Sequence, residues 1–179
     1  FAADAKYSGA EVIRGILRLL PKDHIRWCSL EGNGSIVDLS LPQNKSFPPK
    51  LLHWRIRGTS FEYFAVNKIQ ACGLARRIWD WIAPFKPHVI WVLPEYRAVN
   101  VAKHLQAISG LPMHATIHDA YDYELARYSG VPRLCVNTYL RDVYRLLQFV
   151  TSIDAVSSEL IEHICLKYGL SPAVETLVF

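Results

Sequence analysis

The sequence predicts an α/β fold, a parallel β-sheet with helices on both faces, from three observations. A nearly continuous apolar run, His88 to Leu93, suits a strand covered on both sides. Helical apolar stripes alternate with short strand-like segments along the second half of the chain, the pattern of βαβ units. The 179 residues are 51% hydrophobic and 20% charged, which excludes a disordered or low-complexity chain and suits one domain with a buried core.

Taken in order, Val12, Ile13, Ile16, Leu17 and Leu20 form one stripe of a helix that Pro21 stops. Ile25 to Leu30 alternates apolar and polar residues as a strand. Asn33-Gly34 then predicts a turn before a second alternating run, Ser35 to Leu41. Residues 42–49 carry three prolines and are expected as a loop, followed by a short strand over Leu51 to Ile56. The longest helix is expected from Phe61 to Ala83, with positions 61, 65, 68, 72, 75, 79 and 82 facing the core. The strand His88 to Leu93 ends at Pro94. A helix striped by Ala98, Val101, Ala102, Leu105 and Ile108 follows and closes at Gly110. The remainder reads as strand Met113 to Ile117, helix Val136 to Phe149 and strand Ile153 to Val156. A helix ending at Gly169 comes next, then a last strand over Val174 to Phe179. No repeat or linker interrupts the series, so residues 1–179 read as a single domain.

Charge and cysteines narrow the function classes. Twenty Lys+Arg against sixteen Asp+Glu give +4, without a dense basic tract, so nucleic acid is not an expected partner. No run reaches the ~18 apolar residues of a membrane span. Cys28, Cys72, Cys135 and Cys165 contain no C-x-x-C pair, which reads as reduced thiols of a cytoplasmic protein. The chain begins at Phe1 and its one methionine is Met113, the look of a piece of a longer protein.

Ligands of open parallel sheets bind beyond the carboxyl ends of the strands, so the loops there hold the candidate chemistry. Ser8-Gly9-Ala10 precedes the first helix. It reads either as ordinary capping by Ser8 or as an anion site, where glycine admits close backbone approach to a helix N-terminus. Glu95, Tyr96 and Arg97 follow the apolar strand and read as crevice lining or as solvated loop. His118-Asp119 ends the next strand. This pair suits orientation of a sugar hydroxyl or stabilisation of developing charge, against the plainer reading of a loop histidine beside a helix-capping aspartate. His114 and His118 lie about 13 Å apart along a strand at ~3.3 Å per residue, too far to share a metal ion. There is no G-x-S-x-G, phosphate-binding G-x-x-x-x-G-K-[ST], H-E-x-x-H or D-x-D motif. Trp54-Arg55-Ile56-Arg57 and Arg76-Arg77-Ile78-Trp79-Asp80-Trp81 interleave cations and tryptophans. They read first as core plus wet face, and second as a peripheral membrane contact.

Four segments carry a family resemblance by their order: D-A-K-Y-S-G-A-E-V-I-R-G-I-L-R-L-L, K-P-H-V-I-W-V-L-P, G-L-P-M-H-A-T-I-H-D and I-D-A-V-S-S-E-L-I-E-H-I-C-L-K-Y-G. The chain resembles the N-terminal half of a GT-B glycosyltransferase and is similar to the retaining family-4 (group 1) enzymes. The resemblance implies a Rossmann-like domain that holds the acceptor, facing a C-terminal domain that holds the nucleotide-sugar donor. On that basis Gly9 and Ala10, with Ser8, match the loop under the donor phosphates. His118 matches the catalytic histidine that approaches the transferred sugar, with Asp119 beside it. Ser157 and Ser158 match the loop entering the last helix. The family's second loop glycine is replaced by Ser8, and its paired C-terminal glutamates are not in this chain. The donor half is therefore expected to be missing and the segment alone inactive.

The implied activity is metal-independent transfer of a sugar from a nucleotide-sugar co-substrate, with no other cofactor, to a glycan or lipid-linked hydroxyl acceptor. Two alternatives stay open: a sugar-nucleotide enzyme such as a 2-epimerase on the same fold, and a non-catalytic carbohydrate-binding or interaction domain.

Overall fold

Strand pairing is parallel throughout the described residues, as the alternation of strands and helices requires. The computed structural model describes residues 15, 17–30, 44–47, 64–95, 97–118, 133–170 and 175–178. The chain divides into two compact units, Phe1–Leu52 and His53–Phe179.

In the first unit residues 17–19 are helical and Leu17 is buried, as its stripe predicts, whereas Leu20 of the same stripe lies past the helical residues and is exposed. Pro21 precedes a 3₁₀ turn, Lys22–His24, and strand β1 (Trp27–Ser29) lies inside the expected alternating run. Its partner is a correction. Residues 42–49, expected as a loop, contain strand β2 (Asn44–Ser46), with Trp27 opposite Asn44 and Ser29 opposite Ser46. The prolines stand at 42, 48 and 49, so the residues between them keep their N–H donors. Phe47 is buried, and its N–H donates to the Ser29 carbonyl at 2.8 Å, which holds the pair. The turn at Asn33-Gly34 and the strands expected over 35–41 and 51–56 lie outside the described residues.

The second unit opens with a π-helical turn, Ala65–Gln70, that runs into α1 (Ala71–Ile82). The helix is where periodicity places it, but its buried face is displaced. Ala71, Leu74, Ala75, Ile78 and Ile82 point inward, while Lys68, Cys72 and Trp79 are only half-buried. A π turn inserts one residue into the helical register, so a stripe counted at 3.6 residues per turn through residues 61–83 slips.

β3 (Ile90–Val92) begins two residues later than the apolar run, because His88 and Val89 are exposed. Then follow α2 (Ala98–Ser109), β4 (Met113–Ile117), α3 (Arg133–Leu147), β5 (Ser152–Ala155), α4 (Ser158–Tyr168) and β6 (Glu175–Val178). The sheet order is β3-β4-β5-β6. This is a Rossmann-like α/β arrangement. Right-handed crossovers advancing in one direction put α2, α3 and α4 on a single face. α1 packs against α2.

Alternation divides the strands into two sets. Ile90, Val92, Met113, Ala115, Ile117, Ile153 and Ala155 are buried and apolar, matching the buried Val99, Leu105, Val143 and Leu146 of the helical layer. The opposite set is Trp91, His114, Thr116, Ser152 and Asp154.

Both expected glycine stops are observed: Gly110 and Gly169 cap α2 and α4 at φ +67° and +60°. A Cβ at Gly110 would meet nothing within 4 Å, so only the left-handed backbone opposes substitution. Gly110→Ala is expected to lower stability by about 1 kcal/mol in denaturant titration, with an unchanged m-value. Among the described residues no helix is long and apolar enough to cross a membrane.

Candidate functional site at the carboxyl edge of the sheet

Parallel register brings the post-strand residues of β3, β4 and β5 to one edge. Ile90 pairs with Met113 and Ile117 with Ala155. Glu95 follows β3 by three residues, His118 follows β4 directly, and Ser157 follows β5 by two.

Each loop is tied down differently. After β3 the chain makes a tight turn in which the Glu95 carbonyl accepts from Ala98 N at 2.7 Å and Val99 N at 3.2 Å, starting α2. The buried Tyr139 hydroxyl of α3 donates to the Pro94 carbonyl at 3.2 Å. Glu95 is thereby held half-buried at the rim. His118 leaves β4 directly. It is half-buried, with Nε2 inside the protein, so only part of its ring faces outward. Beyond β5, Ser157 is the N-cap of α4, its hydroxyl accepting from Leu160 N at 3.2 Å. Ser158 is exposed in the first turn. Hydrogen bonds from its own N–H and from the Ser157 hydroxyl hold the Glu159 carboxyl below its ordinary range, with a smaller contribution from Ser158. The N-terminus of α4 thus carries a resident carboxylate, the sign its dipole favours.

The structure therefore gathers Glu95, His118, Ser157 and Ser158 along one edge. Ser8, Gly9, Ala10 and Asp119 lie outside the described residues.

Sequence reasoning missed two polar groups. The first lies on the sheet face of His118, since His114, Thr116 and His118 alternate along one side. His114 Nδ1 is 2.7 Å from Ser152 Oγ, and its Nε2 is 3.2 Å from Asp154 Oδ2. Trp91 Nε1 donates to Thr116 Oγ1 at 2.7 Å. His114, considered above only as a metal ligand, is instead a cross-strand polar bridge. The signal was Asp154, a carboxylate in mid-strand.

The second group joins three helical segments. Lys68 Nζ contacts both oxygens of Asp142 at 2.6 and 2.5 Å, and Asn100 Nδ2 donates to Asp142 Oδ2 at 3.0 Å. Asp142 is fully buried, whereas the Lys68 side chain is 33% exposed. Burial, and then the neighbouring Lys103 and Lys68 charges, push the His104 imidazole below its ordinary value. At neutral pH it therefore adds no charge to the cluster. The signal was again available: Cys135, Thr138, Tyr139, Asp142, Val143 and Leu146 make one 3/4 stripe with a carboxylate inside it. Among the described residues no group of three or more His, Cys, Asp or Glu side chains could hold a metal ion.

On the flank of α1, Arg76, Arg77 and Asp80 are exposed, while Trp79 and Trp81 are half-buried. Comparison of the chain with protein-family models, with curated proteins and with solved structures gives no match.

Proposed function

We propose that this chain is the acceptor-side domain of a retaining glycosyltransferase of GT-B architecture, moving a sugar from a nucleotide-sugar donor to a hydroxyl acceptor. The observation that carries the reading is His118 at the carboxyl end of β4, in the interior of a parallel sheet. Ligands of such sheets collect at that edge.

A half-buried imidazole there supplies a directed hydrogen bond in a partly desolvated setting, where it acts more strongly on developing charge than in water. In the transfer, the anomeric carbon–phosphate oxygen bond breaks, the acceptor oxygen bonds that carbon, and the acceptor proton passes to the departing phosphate. His118 orients the transferred sugar and steadies its positive charge, while Glu95 and the Ser157-Ser158 turn line the acceptor approach. The donor half, the cytoplasmic setting and a peripheral membrane contact through the Arg76–Trp81 segment belong to the same proposal.

The test is incubation of the whole protein with a panel of nucleotide sugars and hydroxyl acceptors, followed by mass and anomeric analysis of products. The reading expects one donor to be consumed in an acceptor-dependent manner, with anomeric configuration retained. An epimerised nucleotide sugar, or glycan binding without donor consumption, would replace it with one of the two alternatives.

A further inference from the structure

We propose that the π turn at Ala65–Gln70, with Asn67 and Lys68, forms a subsite for a neutral hydroxyl-bearing group of the acceptor, an inference that rests on the acceptor-side reading above. Asn67 lies in this turn with only 1% of its surface exposed. Among the described residues, neither end of its side-chain amide, Nδ2 or Oδ1, has a hydrogen-bond partner. A buried amide left in that state is costly, because both a donor and an acceptor have been taken out of water. π turns themselves are uncommon and concentrate at functional sites.

Place in the fold points the same way. Asn100 stands in the first turn of α2, directly after the β3 loop, and so lies toward the carboxyl edge of the sheet. Asn100 and Lys68 meet on Asp142 of α3, while the Tyr139 hydroxyl, one helical turn earlier, holds Pro94 of that same loop. The π turn is thereby tied to the edge that carries Glu95 and His118. Lys68, next to Asn67 in the turn, is itself one-third exposed.

The chemistry selects the ligand class. Asp142 contacts Lys68 directly, so the ammonium already has an anionic partner. The orphaned amide requires a group that accepts from Nδ2 and donates to Oδ1. A carboxylate only accepts and an ammonium only donates, whereas a hydroxyl does both. Neighbouring hydroxyls of a sugar or cyclitol meet the two ends together.

The test is the side-chain amide NMR spectrum of the full-length protein, titrated separately with myo-inositol, methyl α-D-glucopyranoside and inorganic phosphate at millimolar concentration. Asn67→Asp assigns the signal. The inference expects the Asn67 amide signal to move saturably with at least one polyol and to stay in place with phosphate. Asn67→Leu is expected to weaken that polyol about tenfold or more, with Tm at or above the parent value because an unsatisfied buried amide is removed. An unmoved signal with both polyols, a response to phosphate alone, or Asn67→Leu losing Tm while binding is unchanged would each overturn it. His118→Ala separates the two readings. Polyol binding at Asn67 with His118→Ala turnover intact upholds the subsite and removes the role of His118 in transfer. Loss of turnover in His118→Ala with no polyol response at Asn67 does the reverse.

Discussion

His118→Ala, made in the whole protein, is expected to lower kcat for sugar transfer by about one hundred- to one thousand-fold, the range for a single well-placed polar group. The donor KM should change much less, since the imidazole is assigned to the developing charge and not to the nucleotide. His118 is half-buried at a strand end, outside the apolar set of the sheet, so the fold should survive its truncation with Tm lower by only a few degrees. Parent-like kinetics in the variant would remove the catalytic role. Preserving Trp91, Thr116, His114 and Asp154 in that experiment matters, because their cross-strand bonds help to hold β4 in register beneath His118.

The largest stability effect is expected at Lys68. Lys68→Met leaves Asp142 fully buried without the cation that contacts both its oxygens. Breaking such a pair costs about 3–5 kcal/mol when both partners are buried; the 33% exposure of Lys68 places this case near about 3 kcal/mol. That corresponds to a fall in Tm of roughly 6–12 °C for a chain of this size. Asn100 Nδ2 still donates to Asp142 in the variant, so the cation is lost and not every partner of the carboxylate. Lys68→Met combined with Asp142→Leu removes the buried carboxylate as well and should recover most of the loss. A double variant no more stable than Lys68→Met alone would show that loss of this charge pairing is not the cause.

The fold was legible wherever two periodicities agreed. Met113–Ile117 is a strand over the very residues expected, because alternation, Pro112 and β-branched Thr116 and Ile117 act together. Gly110 and Gly169 ended their helices where expected, because only a residue without Cβ adopts that backbone cheaply. Legibility failed where tertiary pairing decided the outcome. Asn44–Ser46 has no hydrophobic signature of a strand, and it pairs because Ser29 and the buried Phe47 bring it alongside β1. The π turn was invisible because hydrogen-bond register is not written in composition, and one inserted residue displaced the buried stripe of α1.

The site was legible to a similar depth. Glu95, His118 and Ser157 were locatable as post-strand residues, and parallel register sets them on one edge. Lys68, Asn100 and Asp142 are 32 and 42 positions apart in the chain, so their convergence depends on helix packing that no local pattern encodes. Asp142 and Asp154 nevertheless carried a readable warning, each being a carboxylate within an otherwise apolar or alternating run.

The central claim, that the carboxyl edge of this sheet receives the sugar acceptor, is tested most directly by hydrogen–deuterium exchange of the whole protein. The comparison is between the protein alone and the protein with its consumed donor and acceptor. Slower exchange is predicted in peptides covering residues 93–97, 118 and 156–159, with the interior of β5 unchanged because its amides are already in the ladder. Donor consumption with no protection at those three segments would contradict the account and move the site elsewhere.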